Sequence, residues 1–244
     1  INCLCAFLIQ EYLNTDMGLK ILILGSGGRE HAISWIISKS KKEIEKIFVM
    51  PGNAGTLSEK NVFNIECDIN NHQAVLNFAL ENNIDLTIVG PEVPLVEGIS
   101  DLFEENNLNI FGPKKYFAQL EGSKVFSKNF MDSNNLPTAS YKEFNDSKKA
   151  KGYLNDKKMP IVIKYDGLAA GKGVDICETI DAAKNSIDNL LKPEEKSIIE
   201  DFIKGIELSA IYICNPNANK KNIGLTWIKD YKSRDEYNSG PNTG

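Results

Sequence analysis

The chain has 244 residues, 42% of them hydrophobic and 25% charged, with a formal net charge of −5. That length and apolar content suffice for one large or two ordinary domains held by their own cores, without a disulfide or metal staple. The acidic balance argues against general nucleic-acid binding, which calls for a basic stripe, and five scattered cysteines (Cys3, Cys5, Cys67, Cys177, Cys214) without zinc spacing point to a reducing compartment.

Residues 1–16, INCLCAFLIQEYLNTD, carry an apolar stretch at 4–9 with no basic residue ahead of it. It is too short to span a bilayer and makes a poor signal peptide. Met17 then stands two residues before a clear strand. Met17 is expected to be the natural start and 1–16 a non-native leader, a short helix packed on the first domain being the other reading. No other segment reads as membrane-spanning, and a cytoplasmic protein without a membrane partner is expected.

LKILILG (19–25) is a run of aliphatics closed by glycine, the pattern of a fully buried strand. REHAISWIISKS (29–40) places apolar residues at 32, 33, 36 and 37, one face of a helix. KIFVM (46–50) reads as a second strand, NHQAVLNFALENN (71–83) as a helix, and IDLTIVG (84–90) as a third buried strand. LVEGISDLFEENN (95–107) reads as a helix, and LNIFGP (108–113) as a short fourth strand stopped by Gly112-Pro113. This alternation implies a parallel sheet covered on both faces, an α/β doubly wound domain over 17–120. Trp35 and Phe78 lie on apolar helix faces and are expected in the core, with Cys67, Cys177 and Cys214 as inert small hydrophobes and His72 at the surface. His31 has two readings, a substrate contact or a helix-start hydrogen bond.

The rhythm changes after Gly122. SKVFSKNFMDSNN (123–135) reads as a helix before Pro137, SYKEF (140–144) as a strand, and DSKKAKGYLND (146–156) as a polar-faced helix. PIVIK (160–164) and GVDIC (173–177) read as strands of a hairpin around a glycine loop. TIDAAKNSIDNLL (179–191) is a helix with Thr179 as N-cap. SIIEDFI (197–203), IELSAIYIC (206–214) and NIGLTWI (222–228) are strand-like runs of a second, α+β domain over 121–244. The closing YNSGPNTG has the composition of a mid-protein loop, so the sequence is expected to continue.

Two glycine-rich loops carry the chemistry. GSGGREH (25–31) joins a strand to a helix start, where main-chain N–H groups and the helix dipole favour an anion. A dinucleotide fingerprint is opposed by Glu30 at the third glycine's place and by MPGNAG where the second strand needs an acidic end. A monophosphate helped by Arg29 fits better; a turn that needs glycines for geometry alone is the other reading. PGNAG (51–55) and GPE (90–92) close neighbouring strands, so Asn53 and Glu92 are expected to line the same pocket, Glu92 accepting from sugar hydroxyls or standing as a solvated carboxylate.

In KYDGLAAGKGV, Gly167, Gly171 and Gly173 let main chain approach phosphate oxygens. This is no Walker A loop, because Gly173 follows Lys172 where Ser or Thr is required. Lys164 at a strand end and Lys124 in EGSK are point cations suited to phosphate. Singly, each lysine reads as a surface residue; jointly, around one glycine hairpin, they read as a nucleotide site. EDFIKGIE (200–207) reads as strand, connector and strand, whose main chain can meet an adenine edge while Glu207 binds ribose hydroxyls.

IVIKYDGLAAGKGV, LEGSK, GSGGREHA, PGNAGT, DLTIVGPEVPLVEGI, IFGP and GPNTG together resemble the glycinamide ribonucleotide synthetase (phosphoribosylamine–glycine ligase) family of ATP-grasp enzymes, from about Met17 to Gly244. The resemblance implies a pre-ATP-grasp domain followed by an incomplete ATP-grasp domain. It implies phosphorylation of glycine by ATP and attack of 5-phosphoribosylamine on the acyl phosphate, in purine biosynthesis, by a monomer with small-molecule substrates. Lys124 and Lys164 would hold the ATP phosphates beneath a lid of Asp166, Gly167, Gly171, Lys172 and Gly173. Glu200 and Ile203 would meet adenine through main chain, and Glu207 the ribose. Gly27, Gly28, Arg29, Glu30 and Glu92 would face phosphoribosylamine. Asp230, Lys232, Pro241, Asn242, Thr243 and Gly244 would sit near acyl transfer, with Lys164, Asp230, Lys232 and Asn242 as the catalytic set. The family's Asp-x-Lys-Arg is here Asp230-Tyr231-Lys232-Ser233, which leaves Arg234 without an assigned role. The family's Mg²⁺ ligands, a later Glu and Asn, lie beyond residue 244, so the 244-residue chain alone is expected to have little or no ligase activity. The runners-up are another ATP-grasp carboxylate–amine ligase and a non-catalytic nucleotide-binding module.

Overall fold

The computed structural model describes residues 18–168, 173–190, 196–214, 222–229, 231, 233–236 and 239–242. The chain divides into two compact units, one running up to Ala118 and including Ile211–Leu225, the other Gln119–Ala210 with Thr226–Gly244.

The first unit is built on a five-stranded parallel sheet in the order β3-β2-β1-β4-β5. The strands are β1 (Leu19–Gly25), β2 (Ile44–Pro51), β3 (Val62–Asn64), β4 (Leu86–Val89) and β5 (Ile110–Phe111). Side chains alternate across a strand, which sorts β1 between two cores. Ile21 and Ile23 face one side with Ile47 and Val49, against Ile36 and Ile37 of helix α1 (Gly28–Ser38). Leu22 and Leu24 face the other with Phe48 and Met50, against Val75, Leu76 and Ala79 of α2 (His72–Glu81) and Ile99 and Phe103 further on. Each such buried aliphatic is worth about 1.5–3 kcal/mol. The doubly wound domain expected from the aliphatic runs is therefore present.

Local departures have local causes. The single helix expected over 95–107 is two, α3 (Glu92–Glu97) and α4 (Ile99–Glu105). Gly98 ends α3 at φ 104°, a left-handed conformation that glycine adopts without a Cβ penalty. Trp35 is 40% exposed rather than core, with the Lys39 ammonium 3.9 Å above its ring, because α1 packs through Ile36 and Ile37. Phe78 does pack against the core, partly buried. His72 is half-buried near Glu97, at 3.4 Å, rather than on the surface.

The second unit carries helices α5 (Lys115–Gly122, which begins in the first) and α6 (Lys124–Ser133), then an antiparallel sheet in the order β6-β9-β7-β8. Its strands are β6 (Tyr141–Phe144), β7 (Ile161–Tyr165), β8 (Val174–Cys177) and β9 (Ser197–Asp201). Helices α7 (Ser147–Tyr153) and α8 (Ile180–Leu190) contribute Ala150, Ala183 and Ile187 to a core with Phe144, Ile161, Ile163, Cys177 and Ile199. Thr179 caps α8 as expected, its hydroxyl accepting from Ala182 N–H at 3.2 Å. The run 206–214 breaks into β10 (Leu208–Ser209) and β11 (Tyr212–Cys214), and the run 222–228 into β12 (Asn222–Gly224) and β13 (Ile228–Lys229). β10 pairs with β13 and β11 with β12, so neither long strand forms, and Cys214 is exposed rather than packed. A last pair, β14 (Ser233–Asp235) and β15 (Ser239–Asn242), is antiparallel. No helix among the described residues is long and apolar enough to cross a membrane.

Candidate functional site

In the first unit the loops after β1, β2 and β4 meet at the C-terminal edge of the sheet, where open α/β folds collect ligands. Gly27 is the N-cap of α1, and the first intrahelical bond is His31 N–H to Gly27 C=O at 3.1 Å. The N–H groups of Gly28, Arg29 and Glu30 thus start the helix outside its ladder. Residues 26–29 are exposed, and a Cβ at Gly28 would meet open space. Arg29, its side chain 59% exposed, donates through Nε to Glu30 Oε1 at 2.8 Å. The rest of its guanidinium remains for an anion.

Of Glu30, the side chain turns inward while its N–H stays among those at the open helix start. Glu30 is 3% exposed, and its Oε2 accepts the Gly27 N–H at 2.6 Å, a capping-box bond. A Cβ on Gly25 would stand 2.7 Å from this side chain, and one on Gly90 would collide with Oε1. The two glycines closing β1 and β4 therefore clear space for a carboxylate.

Asn53 is also drawn inward. Its Nδ2 donates to Ser26 C=O at 2.8 Å, and its Oδ1 accepts from Gly55 N–H at 2.7 Å and Thr56 N–H at 3.0 Å. It latches the loop after β2 to the loop after β1 instead of reaching for a ligand. The His31 ring is engaged from the start of α1: its Nε2 lies 3.0 Å from Glu59 Oε1, with Gly55 making room for the ring. Glu92 opens α3 and has no hydrogen-bond or ion-pair partner among the described residues, so its carboxylate is available.

In the second unit β7 and β8 form the expected hairpin, closed by Tyr165 N–H to Gly173 C=O at 2.8 Å. Its root is tied to the start of α6. Asp166 accepts from Val125 N–H and from Ser123 Oγ, each at 3.0 Å, while Lys124 Nζ donates to Gly167 C=O at 2.8 Å. Gly167 sits at φ 131°, which a side chain would strain. Burial holds the Lys124 ammonium below its ordinary pKa of 10.5; nearby Lys164⁺ adds to that depression and Asp166⁻ opposes it. Lys164 lies on the strand that leads into this root, close enough for its charge to bear on that of Lys124.

Lys164, on β7, contacts Glu200 Oε1. Glu200 lies on the inner strand β9, between Tyr141 of β6 and Val162 of β7, so its main chain is taken up by the sheet rather than free for adenine. What Glu200 offers is its buried side chain. Beyond Asp201 the main chain leaves the sheet, and Ile203 there is 69% exposed; Glu207 is exposed too. Pro241 and Asn242 lie on β15, opposite Ser233 of β14. Gly171, Lys172, Asp230, Lys232, Thr243 and Gly244 lie outside the described residues. The sequence reading missed Lys128, which reaches Glu200 Oε2 at 2.5 Å. The signal was its spacing: four residues after Lys124 on one helix, it shares that lysine's face.

Residues 19–121 match the family model described as phosphoribosylglycinamide synthetase, N domain, and residues 122–244 that of the same synthetase's ATP-grasp (A) domain. The fold agrees: the crystal structure of Thermotoga maritima phosphoribosylamine–glycine ligase superposes with a TM-score of 0.71 at 30% identity over 92% of this chain and 54% of that one. The biotin carboxylase domain of a Hydrogenobacter thermophilus 2-oxoglutarate carboxylase, solved with MgADP, superposes at 0.64 with 18% identity, covering 87% and 50%. A doubly wound unit followed by an antiparallel sheet with a glycine hairpin is the ATP-grasp architecture. A Clostridium acetobutylicum phosphoribosylamine–glycine ligase is 45% identical over 93% of this chain and 54% of its own length. The chain belongs to the phosphoribosylglycinamide synthetase family. It spans about half the length of the curated relatives it matches.

Proposed function

We propose that the chain serves an ATP-dependent carbon–nitrogen ligase that joins glycine to 5-phosphoribosylamine, giving glycinamide ribonucleotide, ADP and phosphate in purine biosynthesis. Membership of the family supports this reading, and one observation carries it: at the root of a glycine hairpin Lys124 Nζ is held on Gly167 C=O at 2.8 Å, just past Lys164 on β7. A carboxylate is a poor electrophile. Transfer of the γ-phosphoryl group makes glycyl phosphate, whose phosphate leaves when the amine attacks the carbonyl carbon. The protein's work is then charge neutralisation and positioning.

Lys124 and Lys164 neutralise the polyphosphate, and the segment from Asp166 through Gly171 and Lys172 to Gly173 covers it. Adenine is read by main chain past β9, at Ile203, and ribose by Glu207. In the first unit the open start of α1, at Gly27 and Gly28, binds the 5-phosphate with Arg29, while Glu92 accepts from ribose hydroxyls. Glu30 and Asn53 shape that loop from within. Asp230, Lys232, Pro241, Asn242, Thr243 and Gly244 are assigned to acyl transfer.

We assign Mg²⁺ to the reaction as the partner of the ATP phosphates, which it meets with only one or two protein carboxylates. We place the protein in the cytoplasm as a monomer with small-molecule partners and no membrane, and its acidic balance speaks against a nucleic-acid partner. Calorimetric titration with ATP tests the reading. ATP is expected to bind, and Lys164→Ala to weaken it at least about tenfold, the scale of a lost charge-assisted contact. In a chain extended through the family's later Glu and Asn, ADP release dependent on glycine and phosphoribosylamine together tests the substrates. Unchanged affinity in Lys164→Ala refutes the nucleotide site.

A further inference from the structure

We propose that Lys128 is a positioning residue: it neutralises the buried Glu200 carboxylate from behind, so that Lys164, on the other carboxylate oxygen, keeps a surplus positive charge for a nucleotide's polyphosphate. The inference rests on the nucleotide reading above.

Three ionic side chains stand in a row on α6, β9 and β7. The side chains of Lys128 and Glu200 are 9% and 7% exposed and that of Lys164 is 28% exposed. An ammonium has three N–H donors; two of those of Lys128 are hydrogen-bonded, and its charge sits against Glu200. Lys128 Nζ meets Thr138 Oγ1 at 2.7 Å, Ala139 C=O at 3.3 Å and Glu200 Oε2 at 2.5 Å, the last an ion pair without hydrogen-bond directionality. With its side chain almost wholly buried, Lys128 is not placed to meet a ligand itself. Lys164 has Glu200 as its ion-pair partner and keeps donors to spare, at the open end of the row.

Two lysines and one glutamate leave one positive charge uncompensated. Without Lys128, Glu200 and Lys164 would form a neutral buried pair, the carboxylate competing for the ammonium that should meet phosphate. Burying two ions beside a third is costly as a stability device alone; placing the surplus charge at the exposed end gives the arrangement a binding purpose.

Calorimetry with ATP and with AMP, which lacks the β- and γ-phosphates, tests this on the whole chain. Lys128→Met keeps the aliphatic stem and removes the charge. It is expected to weaken ATP about tenfold while moving AMP by less than about twofold. Lys128→Met with Glu200→Gln restores the surplus charge, so ATP affinity is expected to return to within about threefold of the parent. Glu200→Gln alone is expected to tighten ATP about threefold and decides the matter should Lys128→Met fail to fold by circular dichroism. Equal losses for ATP and AMP, a double variant no better than Lys128→Met, or a Glu200→Gln protein that does not bind more tightly would each overturn the role of Lys128. A parent chain that binds no ATP would instead overturn the nucleotide reading, and this inference with it.

Discussion

Asp166→Ala measures how firmly the hairpin root is anchored. The Asp166 carboxylate accepts the Val125 N–H and the Ser123 hydroxyl, both at 3.0 Å, at the N-terminus of α6. A hydrogen bond to a charged group contributes about 1.5–3 kcal/mol, and a negative charge at a helix start about 0.3–1 kcal/mol more. Two features reduce the sum. Ser123 still caps the helix through Phe126 N–H at 3.0 Å, and Asp166 is only half-buried, so water replaces part of what is lost. A net destabilisation of about 2–3 kcal/mol is expected, which at a urea m-value of about 1–3 kcal/mol/M moves the midpoint down by about 0.7–3 M. Asp166→Asn keeps an acceptor without the charge and should lose about half as much. ATP affinity should fall in the same order, because the Lys124–Gly167 contact depends on the same anchor. A midpoint unmoved by Asp166→Ala, or an Asn variant as damaged as the Ala variant, would refute the reasoning.

Gly90→Ala should cost about 1–3 kcal/mol in urea unfolding, since its methyl collides with the buried Glu30 carboxylate, whereas Gly28→Ala, opening onto free space, should stay within about 0.5 kcal/mol of the parent. ATP binding should weaken as pH rises toward alkaline values, beginning below 10.5. Lys124 carries its charge only below its depressed pKa, and deprotonation removes a cation from the phosphate site. Lys124→Arg, charged throughout, should flatten that fall; an identical pH profile in the variant would assign the titration elsewhere.

The parallel domain was legible because β1, β2 and β4 are buried on both faces and so appear as unbroken aliphatic runs. The β7–β8 hairpin was legible because glycines punctuate it. The runs 206–214 and 222–228 were misread because apolar content says nothing about which partner each segment pairs with, and here each divides between two partners. The candidate site divides in the same way. Lys124, Lys164, Arg29 and both glycine loops announced themselves by residue type and spacing, and a family resemblance tied them together.

The direction of each carboxylate was not so announced. Glu30 turns into the space that Gly25 and Gly90 leave, Asp166 turns back onto the start of α6, and Glu200 sits between Lys128 and Lys164. From the amino-acid order alone came the strand–helix alternation, the two anion-seeking loops and the cations beside them, since periodicity and backbone permissiveness are local properties. Which acid neutralises which base is settled only when segments as distant in sequence as Gly25 and Gly90, or Lys128 and Glu200, are brought side by side. Those pairings depend on burial and distance, which no local pattern encodes.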